Sequence, residues 1–320
     1  MRSAENGGMF NLSQLNNEHG SSETAGYSSP KKKTGLRLFF DILGRKFWQL
    51  AGLNLLYFLF FMPLLLIVPA IRFIPSDAGV LIAMLVLGMT FAIIIGPATA
   101  GMTKVLRCYL IEKHTFVVRD FFRAFRANFK KASIIGFIDC VIVLSAIAAV
   151  QVYPALAVQM GTKLLYVPMV ITYSVVLLVL MMNYYIYLML VATSLSLKNL
   201  IKNSFALAFV SMKSNLLTTL FLVLILAFMY PILLYAIPLF MTLLPFFPAA
   251  FMGYIICFNS YPVIQKYVIN PYYASIGEIN PELMGLADEF DDEDSEMFEK
   301  LDEKERVIEK RKKGNGKRIS

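Results

Sequence analysis

Three stretches of this chain, Leu53–Ile71, Val80–Ile95 and Leu216–Phe228, contain no charged residue. A helix in a soluble core would interrupt such runs with a polar face every three or four residues. A membrane-spanning helix instead needs about 20 consecutive, mostly apolar residues. The runs therefore predict a polytopic membrane protein and leave a soluble enzyme close to excluded. Composition agrees, with 58% of the 320 residues apolar by type and 16% charged, against about 45–50% and about 25% in soluble domains.

The fold class expected is all-α, a polytopic membrane helix bundle with six transmembrane helices and amphipathic interfacial helices on the cytoplasmic side. The spans fall at about 48–71, 79–101, 132–153, 165–193, 215–237 and 240–264. Pro231, Pro238, Pro245 and Pro248 crowd the junction of the last two. Proline can kink a membrane helix as well as end it, so a re-entrant hairpin is the alternative to two full spans there. Residues 1–34 read as a polar, disordered N-terminus, 35–269 as the membrane domain and 270–320 as a charged tail. Residues 1–33 hold no apolar signal-peptide core, so the first span is expected to act as the insertion signal.

Charge orients the bundle. Residues 1–277 carry 21 Lys or Arg and 8 Asp or Glu, whereas 278–320 carry 9 and 14. The net charge of +8 thus hides a basic body and an acidic tail. Seven basic residues precede the first span, eight lie in 102–131 and three in 194–214, while the short loops between hold Arg72 and Lys163. That alternation places both termini and both long loops in the cytoplasm. A pI of 9.2 would ordinarily raise nucleic acid as a partner. Here the basic residues flank spans, so nucleic acid is not expected. The acidic run DEFDDEDSE at 288–296 lacks the glycine and alternating ligands of a calcium loop and reads as solvated tail.

Three basic, aromatic segments precede pairs of spans, at about 36–47, 117–131 and 197–212. In the second, Phe121, Phe122, Phe125 and Phe129 recur at near-helical spacing opposite Arg119, Arg123, Arg126 and Lys130. Such a helix is expected to lie in the headgroup layer with its aromatic face down, and Arg119, Arg123, Arg126, Lys130 and Lys131 are candidate contacts for anionic lipid. The segments superimpose without gaps: Phe39, Phe121 and Leu200 are equivalent. This suggests a threefold repeat of one short helix plus one hairpin. The simpler alternative is that every inner juxtamembrane helix must be basic and aromatic.

Catalytic signatures are absent from the sequence. There is no GxSxG, HExxH or Walker loop, and no catalytic, cofactor-binding or metal site is expected. His19 and His114 are isolated, and Cys108, Cys140 and Cys257 lie too far apart in sequence to suggest a metal or disulfide frame. Asp139 lies within the third span, where a carboxylate marks a pathway or a pair. It is about two turns from Lys130 and Lys131, within reach of a snorkelling cation. Asn54, Asn183 and Asn259 are further polar residues in spans, and Tyr184, Tyr185 and Tyr187 cluster beside Asn183. Amides in membrane helices commonly serve as interhelical glue. Asp139, Asn183 and Asn54 form the candidate intramembrane polar site. In GPATAG at 96–101, Gly96 and Ala100 are a small-xxx-small pair for close helix approach, and Pro97 is expected to kink the helix and free a backbone carbonyl.

That segment, followed by KVLRCYLIEKHTFVVRDFFRAFRANFKKA and preceded by FFDILGRKFWQLAGLNLLYFLFFMPLL, resembles the YesL-like family of bacterial integral membrane proteins (domain of unknown function 624). The resemblance covers roughly residues 35–265 and rests most on Gly96, Pro97, Ala98, Thr99 and Ala100. It implies a multi-pass protein of the bacterial plasma membrane with an accessory role in carbohydrate use, and carries no functional residue with it. Two function classes follow. One is a non-enzymatic accessory or scaffold component contacting a sugar-transport permease, a membrane sensor or lipid. The other is a small-solute transporter with a site near Asp139 and Asn183. The first is preferred, because a transporter would usually show more buried ionisable groups or matched broken helices.

Overall fold

The apolar runs fold as helices, and no strand occurs among the described residues of the computed structural model, which are 35–278, Asn280 and Glu282. The polar stretch 1–34 and the acidic run 288–296 lie outside the described residues.

Helix α1 (Leu36–Phe58) runs unbroken through the expected interfacial segment into the first span. It ends where Pro63 approaches. Proline has no N–H to offer the carbonyl of Leu59 and its ring crowds that carbonyl. Leu59–Phe61 accordingly tightens into a single 3-10 turn, and the chain continues in two short pieces, α2 (Met62–Leu65) and α3 (Ile67–Phe73). Helix α4 (Asp77–Leu110) starts at Ser76, whose hydroxyl accepts from the Gly79 N–H. Pro97 leaves it an uninterrupted helix. At about 1.5 Å per residue its 34 residues reach about 51 Å, longer than about 30 Å of hydrocarbon, so it runs past the expected end at 101.

Two short helices each precede a long one. Helix α5 (Val117–Ala127) is separated from α6 (Phe129–Gln159) by Asn128 alone, at φ −103° and ψ 8°. After α7 (Tyr166–Ala192), helix α8 (Leu197–Val210) is separated from α9 (Met212–Tyr235) by Ser211 alone, at φ −109° and ψ 33°. Then come α10 (Ile237–Leu243) and α11 (Pro248–Ile264). Five helical segments are long and apolar enough to cross a membrane. A sixth candidate is the broken pair of α10 and the helix starting at Pro248, bent by 53°. From Asn270 the chain forms a separate unit, which holds α12 (Asn270–Ile276) and a bond from Asn280 Nδ2 to Asn270 Oδ1.

The packing of the membrane unit follows the suspected repeat. Helices α4, α7 and α11 all touch one another and form a central trio. Each remaining long helix wedges between two of them: α1 between α11 and α4, α6 between α4 and α7, α9 between α7 and α11. The leading segments obey the same rule. Helix α5 packs on α4 and α8 packs on α7. The start of α1 packs on α11, where Phe39 meets the rings of Tyr254 and Phe258 and its carbonyl accepts from the Tyr254 hydroxyl. The equivalent residues Phe121 and Leu200 are both fully buried. Each leading segment thus clasps the second helix of the unit before it, and the first clasps the last. Three unrelated hairpins would not be expected to close such a ring.

Burial is uneven along the helices. All buried residues of α4 lie between Ala92 and Tyr109, and all those of α7 between Met181 and Leu190. In the other half Leu81, Ile82, Leu85 and Val86 of α4 and Val167, Val170 and Ile171 of α7 are exposed, while α6 and α7 stay joined by Tyr173, whose hydroxyl donates to the Ala146 carbonyl at 3.0 Å.

Candidate functional site

The site begins with a close helix crossing. On α4, Ala92, Gly96 and Ala100 recur every four residues, and on α6 Ala132 and Gly136 do the same. A side chain at Gly96 would place its Cβ 1.9 Å from the Ala132 carbonyl oxygen, and one at Gly136 would place its Cβ 2.6 Å from the Gly96 nitrogen. Without side chains between them the two backbones touch, the geometry that small residues allow in membranes. Ala100 is itself fully buried.

Asp139 comes one turn after Gly136 and faces α7. Its Oδ1 accepts from Asn183 Nδ2 at 2.6 Å, and its Oδ2 accepts from the Tyr187 hydroxyl at 2.9 Å. Asn183 and Tyr187 are four residues apart and share one face of α7. Both donors are neutral, and among the described residues no Lys, Arg or His pairs with Asp139. The expected snorkelling partner is therefore replaced by an amide and a phenol. Lys131 is spent elsewhere, donating to the Leu195 carbonyl at 3.0 Å.

A second polar pair joins α1 to α4. The Thr99 hydroxyl donates to the Ile95 carbonyl, leaving its oxygen to accept from Tyr57 at 3.0 Å. Asn183 Oδ1 is buried with no hydrogen-bond partner, an exception in folded proteins, where buried polar atoms are paired.

Asn54 does not join this group. Its Nδ2 donates to the Leu244 and Pro245 carbonyls, at 3.0 and 2.7 Å, and its Oδ1 accepts from the Ala250 N–H at 2.8 Å. It satisfies the backbone freed where α10 breaks from α11. The polar groups between α7, α9 and α11 are likewise consumed internally. Tyr185 donates to Asn215 Oδ1 at 2.6 Å, Tyr184 bonds Thr219 at 2.8 Å and Asn259 donates to Thr218 at 3.0 Å.

The aromatic face of α5, expected in the headgroup layer, is instead a contact within the protein. Phe121 is fully buried, its carbonyl and ring against Gly101 of α4, and Phe60 meets Phe121, Phe122 and Phe125. An amphipathic helix must bury its apolar face, and here a glycine on α4 admits it. The opposite face stays free: Arg123, Arg126 and Lys130 are exposed, and Arg119 lies over the Phe116 ring, 4.5 Å from its centroid.

Among the described residues no three His, Cys, Asp or Glu side chains converge as a metal site would require. The polar group at Asp139 can accept hydrogen bonds or positive charge; it holds no paired nucleophile and base.

The crossing of α4 and α6 lies within the part of the chain that other proteins share. Residues 50–150 match the family described as Protein of unknown function, DUF624. That stretch is similar to DUF624. It runs from Leu50 in α1 to Val150 in α6, and so includes the GPATA stretch and the α5 motif on which the resemblance rested. The DUF624 match holds Tyr57, Thr99 and Asp139, but not Asn183 and Tyr187. No curated protein and no solved structure matches the chain.

Tyr57, Thr99 and Tyr187 are members of the two pairings that reading the sequence did not single out as site residues. The four-residue spacing of Asn183 and Tyr187 was the available signal for one of them. Nothing local marks Tyr57 and Thr99, which are 42 residues apart.

Proposed function

We propose that this protein is a multi-pass component of the bacterial plasma membrane, with both termini in the cytoplasm, that acts without catalysis as an accessory or scaffold for carbohydrate uptake or use. The observation that carries the scaffold role is the exposed first half of α4 and of α7. There α4 and α7 expose rows of large aliphatic side chains, surfaces suited to the spans of a permease or sensor. The exposed basic face of α5 supports contact with anionic lipid headgroups. The carbohydrate context rests on the family resemblance alone.

Co-purification from the native membrane in mild detergent tests this reading, using the full chain and a form lacking 278–320. The reading expects a stoichiometric membrane partner with the full chain. A monodisperse protein without a partner in both forms, together with solute uptake in proteoliposomes, would replace the scaffold by a transporter.

A further inference from the structure

Asp139 and Asn183 have unmet needs of the same sign. A carboxylate within a span lacks water to solvate its charge, and the two hydrogen bonds it accepts come from neutral groups. Each carboxylate oxygen can take a further contact. Asn183 Oδ1 is a buried acceptor with nothing to accept from, although the same amide donates to Asp139. One species satisfies both atoms if it brings positive charge.

The donor set narrows that species. It consists of oxygen atoms with a single negative charge, and the Tyr187 hydroxyl beside them adds only neutral oxygen. Calcium takes 6–8 oxygen ligands and is held mainly by several carboxylates. Transition metals favour nitrogen and sulfur, which a cluster of His or Cys would supply; no such cluster occurs among the described residues. A monovalent cation matches the charge and the hard oxygen ligands.

Asn183 lies two residues past Met181, where the buried stretch of α7 begins, and Asp139 follows Gly136, the last buried residue of α6 before Ala149. Both therefore sit at the edge of the packed half. Beyond them Val141, Val143 and Leu144 of α6 and Val175 and Leu177 of α7 are exposed.

We propose that Asp139 and Asn183 form a binding site for a monovalent cation. The site goes beyond the scaffold reading and stands or falls separately from it.

Thermal unfolding of the purified full-length protein in lipid nanodiscs provides the test. Sodium, potassium or methylammonium chloride replaces N-methylglucamine chloride at constant ionic strength. At least one is expected to raise Tm saturably, because a ligand that binds the native state stabilises it by mass action. Asp139→Asn and Asn183→Ala should each weaken the apparent affinity about tenfold or more. Tyr185→Phe, in the other polar set, should lower Tm but leave that affinity unchanged. No saturable rise with any of the three cations, or an unaltered one in Asp139→Asn, overturns the proposal.

A reading on the native residue covers the case in which Asp139→Asn does not fold. Dicyclohexylcarbodiimide adds to a protonated carboxyl: the acid proton moves to a carbodiimide nitrogen, the carboxyl oxygen bonds the central carbon, and acyl transfer to nitrogen gives an N-acylurea with no leaving group. A bound cation holds Asp139 deprotonated and should slow its labelling severalfold. Labelling that is indifferent to all three cations contradicts the site.

Discussion

Gly88 and Gly96 lie two turns apart on one helix of uniform apolarity, yet a side chain at Gly88 would meet nothing within 4 Å, while one at Gly96 would strike the backbone of α6. The two halves of the bundle differ in the same way. In the packed half the helices are joined by glycine and alanine contacts at α4 and α6, by Asp139 to Asn183 and Tyr187, by Tyr185 to Asn215 and by Arg107 to Tyr261. In the other half the side chains exposed on α4 are Leu, Ile, Val and Met, and those on α7 are mostly Val, Ile and Leu. Lipid tails are as apolar as those side chains, so hydrophobicity alone does not pull membrane helices together. Small and polar residues do, and they make the contacts of the packed half.

The comparison can be broken at its strongest point. Gly96→Leu should destabilise the bundle by about 3 kcal/mol or more, because the intruding side chain meets backbone rather than a movable group. Gly88→Leu should change stability by less than about 0.5 kcal/mol. Denaturant unfolding in mixed micelles measures both, and equal effects would refute the division. Asn54→Ala comes next, at about 2 kcal/mol, since it strips partners from the Leu244, Pro245 and Ala250 backbone. Tyr185→Phe should cost about 0.6–1.7 kcal/mol, the range for interhelical hydrogen bonds in membranes. Val86→Ala, on the exposed face, should be within about 0.5 kcal/mol of the parent in the same assay.

Much of this fold is legible in the sequence. Charge-free runs reveal the long helices, and the gapless match of Phe39, Phe121 and Leu200 marks three equivalent segments, although not that each packs on the helix before it. The breaks are less legible. Pro63 interrupts the first span whereas Pro97 leaves α4 continuous, and the local motif does not distinguish the two, because neighbouring helices decide whether a freed carbonyl is tolerated. The face of α5 shows a related ambiguity. A row of phenylalanines looks the same whether it enters lipid or covers a glycine on another helix, and Gly101 is what directs it inward. Asp139 and Asn183 stand out singly as polar residues in apolar runs. Their pairing depends on the antiparallel register of α6 and α7, which places residues 44 positions apart side by side.

Photocrosslinking along α4 in native membranes distinguishes the two halves. A photoreactive amino acid is placed singly at the exposed Leu85, Val86 and Met89 and at Val105 and Leu106 in the packed half. Adducts with lipid or another protein are expected at the first three positions, and only internal adducts or none at Val105 and Leu106, which are fully buried. Adducts to other molecules at the same level along the whole helix would contradict the distinction.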